Sequence, residues 1–407
     1  MVDHGHGPVG ADVSRRHLVH GNVRIKVGEV MASNTKLPVS PLGERIVAMI
    51  RETGPMSIAE YMHVCLNDPR HGYYPNRKAI GRKGDFITAP EVSQMFGELI
   101  GIWCLAVWQA MGKPEQFILA EAGPGNGTLM ADLLRATANY PSFTQGANIS
   151  LIETSPAMIQ EQRAKLDRYS SNIEWQNKIE EIDDLPMILV ANEFLDVLPV
   201  RQFIKTSNGW LEHCVGISDD GTLAWTTGTA MPDMQNLSES LKSVPEGSIL
   251  EISPAREAWM QILSERLANN GGCALLIDYG SANTELGGTF QAVQNHKQVD
   301  PLSGPGLADL TAHVDFGALR NISIQSGVCA SQVLTQGEFL QSMGLAERAG
   351  AIGAEKSRQR QSEIRSQAER LCMPEQMGNL FKVLAIISSE FAVETTNIPP
   401  FNRGDPA

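Results

Sequence analysis

Three glycines at alternating positions stand directly after a short apolar segment. Residues 117–122 are apolar except for Glu121, and Gly123, Gly125 and Gly127 follow them. Glycine adopts positive φ without strain and has no Cβ atom to obstruct a ligand that approaches the main chain. The pattern predicts a buried strand, a tight turn and the first residues of a helix, whose N–H groups are free to meet a ligand. The turn is therefore a candidate nucleotide pocket.

The spacing of these glycines bears on which nucleotide is expected. The dinucleotide fingerprint G-x-G-x-x-G needs its third glycine at position 128, where Thr128 stands, so NAD and FAD are disfavoured. The E-x-G-x-G-x-G form from Glu121 to Gly127 resembles the first motif of class I S-adenosylmethionine (SAM) methyltransferases. This resemblance implies that the turn, with Glu121 and Asn126, holds the amino-acid and ribose parts of SAM.

A second acidic residue is expected at the end of the next strand. Glu153 ends the predicted strand 149–153. A carboxylate there can accept hydrogen bonds from both ribose hydroxyls of a nucleoside. A glycine-rich turn alone is more often structural, but the turn followed by this acid in strand–helix–strand order predicts a SAM site.

The segments around the turn alternate between strand and helix patterns. Strands are predicted at 117–122, 149–153, 173–176 and 187–192, with helices beginning at Thr128 and Pro156. The order β-α-β-α-β predicts an α/β fold with a parallel sheet. Strong strand patterns at 273–280 and 381–387 extend that sheet.

Polar side chains follow the fourth predicted strand. Asn192, Glu193 and Asp196 come directly after the apolar run 187–191. Ligands of open α/β sheets bind outside the carboxyl ends of the strands. We therefore expect these groups to face the same crevice as the glycine turn, with Asn192 on the cofactor side.

The remaining segments divide the chain into regions. We expect a disordered leader at 1–38, a helical part at 39–112, a methyltransferase domain at 113–390 with insertions around 198–250 and 281–345, and a tail at 391–407. A glycine-rich loop at 81–90 precedes a predicted helix, and its Asp85 and Thr88 could bind the amino-acid end of SAM. The pattern at 198–228 predicts a β hairpin or meander, and the Gly/Pro-rich segment 281–310 is expected to be a loop that covers the substrate.

Composition narrows the possible partners. The 407 residues carry a formal net charge of −13, which disfavours nucleic acid as a partner. The longest apolar run, 99–108, is too short to span a bilayer and predicts a buried helix. The six cysteines show no C-x-x-C pair, and no H-E-x-x-H spacing occurs, so neither a metal site nor a disulfide framework is expected.

Five blocks of sequence together resemble the MidA family of class I SAM methyltransferases. They lie at 83–91, 123–129, 191–200, 278–280 and 308–316, and the likeness covers roughly residues 41 to 390. That family includes the mitochondrial complex I assembly factor that methylates an arginine. Asn126 stands where many members carry a basic residue, a difference that leaves the glycine turn intact.

The resemblance implies a Rossmann-like sheet with an N-terminal helical extension and an inserted β/α subdomain, and SAM as cofactor. It also implies symmetric dimethylation of an arginine on a subunit of the NADH dehydrogenase complex. The place of action would be the cytoplasm in a bacterium or the mitochondrial matrix in a eukaryote. Membrane insertion is not expected, and the oligomeric state stays open.

An arginine methyltransferase needs carboxylates that grip the guanidinium and aim one nitrogen at the methyl group. Glu193 is the first candidate for this clamp, with Asp196 in support; the alternative is that both cap backbone N–H groups. His313 could accept a proton as part of a pair with Asp315, although a structural histidine is the more common case. Asp278 and Tyr279 could line the substrate mouth.

Two other functions stay open on the sequence. One is a SAM-binding assembly factor that holds a partner without turnover. The other is a small-molecule methyltransferase, since an acidic pocket also accepts cationic metabolites.

Overall fold

The computed structural model describes residues 40–76, 88–169, 172–228, 241, 243–391 and 400–401. Its first part is helical, and helix α1 (Pro41–Thr53) begins where Ser40 accepts the N–H of Gly43. One short strand and four helices follow it: β1 (Met56–Ser57), α2 (Ile58–Asn67), α3 (Tyr73–Asn76), α4 (Ala89–Val92) and α5 (Gln94–Ala110). Helix α5 is the buried helix that the apolar run predicts. The predicted leader, and Asp85 in the predicted loop, lie outside the described residues.

The next part alternates strands and helices, as the sequence predicts. Its elements are β2 (Phe117–Ala122), α6 (Thr128–Thr137), α7 (Pro141–Gly146), β3 (Ala147–Ile152), α8 (Pro156–Leu166), β4 (Ile173–Gln176) and β5 (Met187–Asn192). Four strands and a helix follow: β6 (Arg201–Thr206), β7 (Gly209–Ile217), β8 (Leu223–Thr227), β9 (Ile249–Ile252) and α9 (Pro254–Asn270).

The last part begins with the long strand β10 (Gly272–Ser281). After it come β11 (Gln291–Gln294), β12 (Lys297–Val299), β13 (Asp309–Thr311), β14 (Val314–Asp315), α10 (Phe316–Gln325), β15 (Cys329–Ala330), β16 (Leu334–Thr335), α11 (Gln336–Ser342), α12 (Leu345–Gly353), α13 (Arg358–Cys372) and β17 (Phe381–Ile387).

The central sheet has the order β15–β17–β10–β5–β2–β3–β4, and β16 also pairs with β17. Strands β10, β5, β2, β3 and β4 are parallel, whereas β17 runs antiparallel to β10. The carboxyl ends of β2, β3 and β5 therefore meet at one edge. In this register Ala122 lies opposite both Ile152 and Ala191, so the glycine turn, Glu153 and Asn192 leave the sheet side by side.

Both faces of the central sheet are covered. β2 and β5 are buried at every position, which explains why their sequences are almost continuously apolar. One face packs against α5 and α6, and the other packs against α9 and α10. The sheet edge that carries the ligand groups is thus held by a large core.

A second sheet of five antiparallel strands confirms the predicted meander at 198–228. Its order is β1–β7–β6–β9, and β8 also pairs with β7. The expectation that 281–310 is a loop is wrong, whereas its role as a cover for the substrate stays a prediction. Strands β12, β11 and β13 form a small antiparallel sheet there, and Ala292 and Leu310 pack into a core with α1 and α2.

Three strands within the predicted second insertion belong to the central sheet, and the first of them, β14, pairs with β10. Cys329 of β15 pairs with Ile387, and Leu334 of β16 pairs with Val383. None of the helices in the described part of the chain has the length and apolar character needed to cross a bilayer.

Candidate active site

The turn after β2 has the conformation that its glycines predict. Gly123, Gly125 and Gly127 have φ values of 65°, 52° and 71°. The N–H of Gly123 donates to the carbonyl of Ile152, which fixes the turn to the neighbouring strand. A Cβ atom on Gly123 would lie 3.0 Å from the ring of Phe194, so the space beside the turn is tight.

Glu153 lies beside this turn. Gln162 of α8 donates from its Nε2 both to the Glu153 Oε2, at 3.1 Å, and to the carbonyl oxygen of Gly125, at 2.8 Å. Trp175 in turn donates to the Gln162 Oε1 and fixes the amide. Burial raises the pKa of Glu153, and hydrogen bonds from Ser155 and Gln162 partly oppose that rise. The expected acid and the expected turn are thus joined by one side chain.

The short helix α4 also grips the turn, through a residue that the sequence reasoning missed. The Glu91 Oε1 accepts from the Thr128 hydroxyl at 2.5 Å and from the Asn126 amide at 3.3 Å. Lys165 donates to the same Thr128 hydroxyl at 2.6 Å. Thr88 is the residue before α4 and makes no side-chain cap. Since Glu91 lies within the first resemblance block, that block was the available signal.

Glu121 lies beneath the turn in β2 and is almost fully buried. Burial raises its pKa to about 8, against the opposing effects of the Met130 N–H and Lys165. Among the described residues its Oε2 has no hydrogen-bond partner. Glu121 is therefore placed under the expected cofactor pocket, mostly protonated at neutral pH.

The polar residues after β5 form a strained turn, which we call the carboxylate loop (residues 192–197). Glu193 has φ of 52°, a conformation that costs energy for a residue with a side chain. Its Oε1 accepts from the N–H of Ala89, the first residue of α4, at 3.1 Å and from the Asn192 amide at 3.2 Å. Burial and the charge of Asp196 raise the pKa of Glu193 to about 7.

Two buried side chains from elsewhere in the chain hold the carboxylate loop. The Asp278 Oδ2 accepts three successive N–H groups, those of Phe194, Leu195 and Asp196. Its Oδ1 accepts the N–H of Tyr279, so both oxygens of this fully buried side chain are bonded to the backbone, and the expectation that Asp278 lines the substrate mouth is wrong. Asp278 lies in β10 and supports the carboxylate loop.

Arg256 is the second support, and the sequence reasoning missed it. It is 4% exposed, and its guanidinium donates to the carbonyl oxygens of Leu195, Asp196, Ala312 and His313 at 2.6–3.1 Å. It thereby ties the carboxylate loop to the segment before β14. Nothing in the helical pattern of α9 distinguishes it from an exposed arginine.

Asp196 is 2% exposed, and its Oδ1 has no hydrogen-bond partner in the described part of the chain. Burial raises the pKa of Asp196 to about 6, although the Tyr279 hydroxyl and the Arg256 charge act in the opposite direction. Asp196 thus combines a free buried oxygen with a pKa near neutrality.

His313 lies on the same side of the site, with its ring 6.1 Å from the Tyr279 ring. Burial lowers its pKa, so the ring is neutral near pH 7. The expected pair with Asp315 is not formed among the described residues, since the Asp315 Oδ1 caps α10 by accepting the N–H of Ala318. The Asp315 carboxylate caps the start of α10, although its spacing from His313 in the sequence also allowed a pair.

These residues fit a SAM molecule. The positive-φ glycines leave the main chain open, Glu153 stands beside them, and the buried Asn192 Oδ1 lacks a partner among the described residues. Glu153 would hold the ribose hydroxyls, and the turn with Asn192 would hold the amino-acid part. No cluster of metal-ligating side chains occurs within the residues described.

Comparison with known proteins gives concordant matches. A model of a family of S-adenosyl-L-methionine-dependent methyltransferases matches residues 99–334. The mitochondrial protein arginine methyltransferase NDUFAF7 homolog of Drosophila melanogaster is 37% identical over 385 residues, which is 88% of this chain and 87% of the relative. The mitochondrial protein arginine methyltransferase NDUFAF7 of Homo sapiens is 34% identical over 376 residues, covering 86% and 84%.

A solved structure from Burkholderia thailandensis, bound to S-adenosyl-homocysteine, also matches. It is 25% identical with a TM-score of 0.75, and the match covers 89% of this chain and 95% of that one. The family model spans more than half of the chain, and the relatives match most of it. The chain therefore belongs to this family of SAM-dependent methyltransferases, with the class I fold and SAM as its cofactor.

Proposed function

We propose that this enzyme methylates an arginine side chain of a protein, and that its target is a subunit of NADH dehydrogenase complex I whose assembly it supports. The observation that carries the proposal is the pair of carboxylates, Glu193 and Asp196, on one rigid loop beside the SAM turn. The printed names of the relatives, protein arginine methyltransferases of mitochondria, support the same substrate class. The proposed place of action is the cytoplasm of a bacterium or the mitochondrial matrix of a eukaryote.

Methyl transfer to nitrogen asks mainly for alignment, which contributes up to ~7–11 kcal/mol in favourable cases. When bound, SAM supplies an electrophilic methyl group and keeps the electron pair of its broken S–C bond on sulfur. The residues of the chain bind the acceptor, orient it and accept its proton. Two carboxylates can bind a planar guanidinium by paired hydrogen bonds, which fixes one nitrogen in place and leaves an acceptor for the proton that nitrogen releases.

Glu193 is suited to the clamp because its geometry is already fixed. Its Oε1 is held by the Ala89 N–H and the Asn192 amide, and the strained backbone at φ 52° presents the side chain at the end of β5. The alternative role, a cap for a helix start, is partly present in the bond to Ala89. We propose that one oxygen is the anchor and that the other oxygen meets the acceptor. Symmetric dimethylation then requires two successive transfers in this clamp.

The test is transfer of label from SAM to purified complex I subunits. Wild-type protein should label one arginine, whereas Glu193→Gln should lower the rate at least ~100-fold while SAM affinity, measured by isothermal titration, changes little. Glu180→Gln, at an exposed position, is the matched control and should behave as wild type. Absence of any labelled arginine with the wild-type enzyme would refute the proposal.

A cellular measurement separates catalysis from a binding role. If complex I assembles normally with Glu193→Gln although its arginine is unmethylated, the protein acts in assembly by binding. If assembly fails together with methylation, turnover is the functional contribution.

A further inference from the structure

A row of polar side chains crosses the five-stranded sheet. Gln202 of β6 lies opposite His213 of β7 and Glu251 of β9 in the strand register, so the three side chains share one face of the sheet. The Gln202 Nε2 donates to the Glu251 Oε2 at 2.6 Å, and the Gln202 Oε1 lies 3.1 Å from the His213 Nδ1. Because a carboxylate only accepts, the amide oxygen faces His213, whose Nδ1 carries the proton. The hydrogen bonds of the row therefore converge on Glu251.

Thr289 joins Glu251 to the segment before β14. Its N–H donates to the Glu251 Oε2 at 3.1 Å, and its hydroxyl donates to the Glu251 Oε1. The same hydroxyl oxygen accepts the N–H of His313 at 2.8 Å. The N–H of Gly287 donates to the carbonyl oxygen of Ile249 at 2.9 Å, which lays the chain before Thr289 along β9. One hydroxyl thus connects the five-stranded sheet to His313.

Residues 312–313 lie directly on the carboxylate loop. The Ala312 N–H donates to the Asp196 carbonyl oxygen at 3.0 Å. Arg256 donates to the carbonyl oxygens of Asp196, Ala312 and His313. The main chain of His313 is therefore fixed at both ends, by Thr289 at its N–H and by Arg256 at its carbonyl group.

Resting on the proposed function, we propose that Thr289 and Glu251 are positioning residues of the acceptor site. They fix residues 312–313 and, through the bond from Ala312, the main chain at Asp196. The five-stranded sheet thereby serves the acceptor site. None of the hydrogen bonds of Thr289 or Glu251 described above reaches the glycine turn, so the effect on SAM binding is expected to be small.

The carboxylate loop needs such support because its backbone is strained. Glu193 has φ of 52°, and a strained conformation persists only where the surrounding structure holds it. A displacement of about 1 Å in an aligned site can lower the rate about 100-fold. Loss of one hydroxyl that acts at two residues' distance from Asp196 should have a smaller effect than that limit.

The experiment compares Thr289→Val with Thr289→Ser. Valine keeps the shape of the side chain but removes the hydroxyl, so the His313 N–H and the Glu251 Oε1 lose that partner. We expect kcat for transfer to arginine to fall about 10-fold, with SAM affinity unchanged by isothermal titration. Serine keeps the hydroxyl and should restore kcat to within about twofold of wild type.

Thr206→Val is the matched control. Thr206 is half-buried like Thr289 and lies in the same sheet, and its hydroxyl also donates to one partner, the Gly209 carbonyl oxygen, and accepts from another, the Asn208 N–H. These bonds lie in the β6–β7 turn, so kcat should stay at the wild-type value. Equal losses in Thr206→Val and Thr289→Val, or no recovery with Thr289→Ser, would overturn the inference.

A double-mutant cycle tests whether Thr289 and Glu251 act as a unit. Glu251→Gln should lower kcat about fivefold, because an amide oxygen accepts more weakly than a carboxylate and the amide nitrogen cannot accept at all. The double variant Thr289→Val/Glu251→Gln should be no slower than Thr289→Val alone, since residues that act as a unit are not additive. Additive losses would contradict the proposed pairing.

A second readout is independent of turnover. The His313 amide hydrogen, followed by NMR, should exchange with solvent at least ~10-fold faster in Thr289→Val than in wild type, and at the wild-type rate in Thr289→Ser and Thr206→Val. An unchanged rate in Thr289→Val would overturn the inference. If the rate rises but the wild-type enzyme labels no arginine, the proposed function fails, whereas the bond from His313 to Thr289 is confirmed. If the wild-type enzyme labels an arginine and Thr289→Val is equally fast, only the positioning role fails.

Discussion

The glycine turn and the carboxylate loop lie at the ends of adjacent strands, yet they obtain their shapes in different ways. The turn owes its backbone to its own residues, since three glycines take positive φ without strain. In the loop, Glu193 takes a positive φ although it carries a side chain. Remote groups, above all Asp278 and Arg256, supply the hydrogen bonds that hold it.

This difference separates two kinds of functional site. A site encoded by local conformation survives changes elsewhere and fails when its own residues change. A site imposed by distant contacts fails when any of its supports is lost, because the strained backbone then relaxes. The proposed cofactor site is of the first kind, and the proposed acceptor site is of the second.

The largest effect should come from Gly125→Val. A left-handed backbone costs an ordinary residue ~1–2 kcal/mol, and a branched side chain would also occupy the space that the cofactor needs. SAM affinity should fall at least ~100-fold by isothermal titration. Gly112→Val is the matched control, because Gly112 also has positive φ, 82°, but borders open space. If Gly125→Val still binds SAM as wild type does, the turn does not depend on its own glycines.

Arg256→Met tests whether the carboxylate loop depends on contacts from distant parts of the chain. Four carbonyl oxygens lose their donor, so the free energy of unfolding should fall by about 3–5 kcal/mol and methyl transfer by about two orders of magnitude. SAM affinity should change no more than about threefold, because the glycine turn holds its own shape.

Arg266→Met is the control for Arg256→Met. Arg266 lies on the same helix and donates to the carbonyls of Ile182 and Asp183, away from the loop. Its loss should lower stability by about 1–2 kcal/mol and leave catalysis intact. Wild-type methyl transfer by Arg256→Met would show that the loop needs no remote support.

A smaller effect is expected for Glu91→Gln, which measures how far the glycine turn depends on contacts from elsewhere in the chain. Among the described residues of α4, Glu91 accepts hydrogen bonds from both Asn126 and Thr128. The turn is therefore held in part by a residue from elsewhere in the chain. A neutral amide accepts hydrogen bonds more weakly than a carboxylate, and SAM affinity should fall about 5–10-fold. Glu115→Gln, at an exposed position, should leave it unchanged. A loss as large as that of Gly125→Val would mean that the turn also depends on distant contacts.

Sequence reasoning succeeded where a residue's role follows from its neighbours in the chain. The positive φ at Gly123, Gly125 and Gly127 follows from residue type, and the strand ends that bring Glu153 and Asn192 together follow from a parallel order. It failed for Asp315, since the same short spacing permits either a histidine partner or a helix cap. It also failed for 281–310, because strands of three or four residues carry too little pattern to separate them from a loop.

The class I sheet, the glycine turn and the acid beside it follow from the sequence alone, because they depend on residue type and on periodicity along one stretch of chain. The burial of Asp278, its bonds to three successive N–H groups and the bonds of Arg256 to four carbonyls are visible only in the folded domain. Those contacts join residues that are tens of positions apart. The free energy that selects them comes from packing the whole domain, and no local pattern records it.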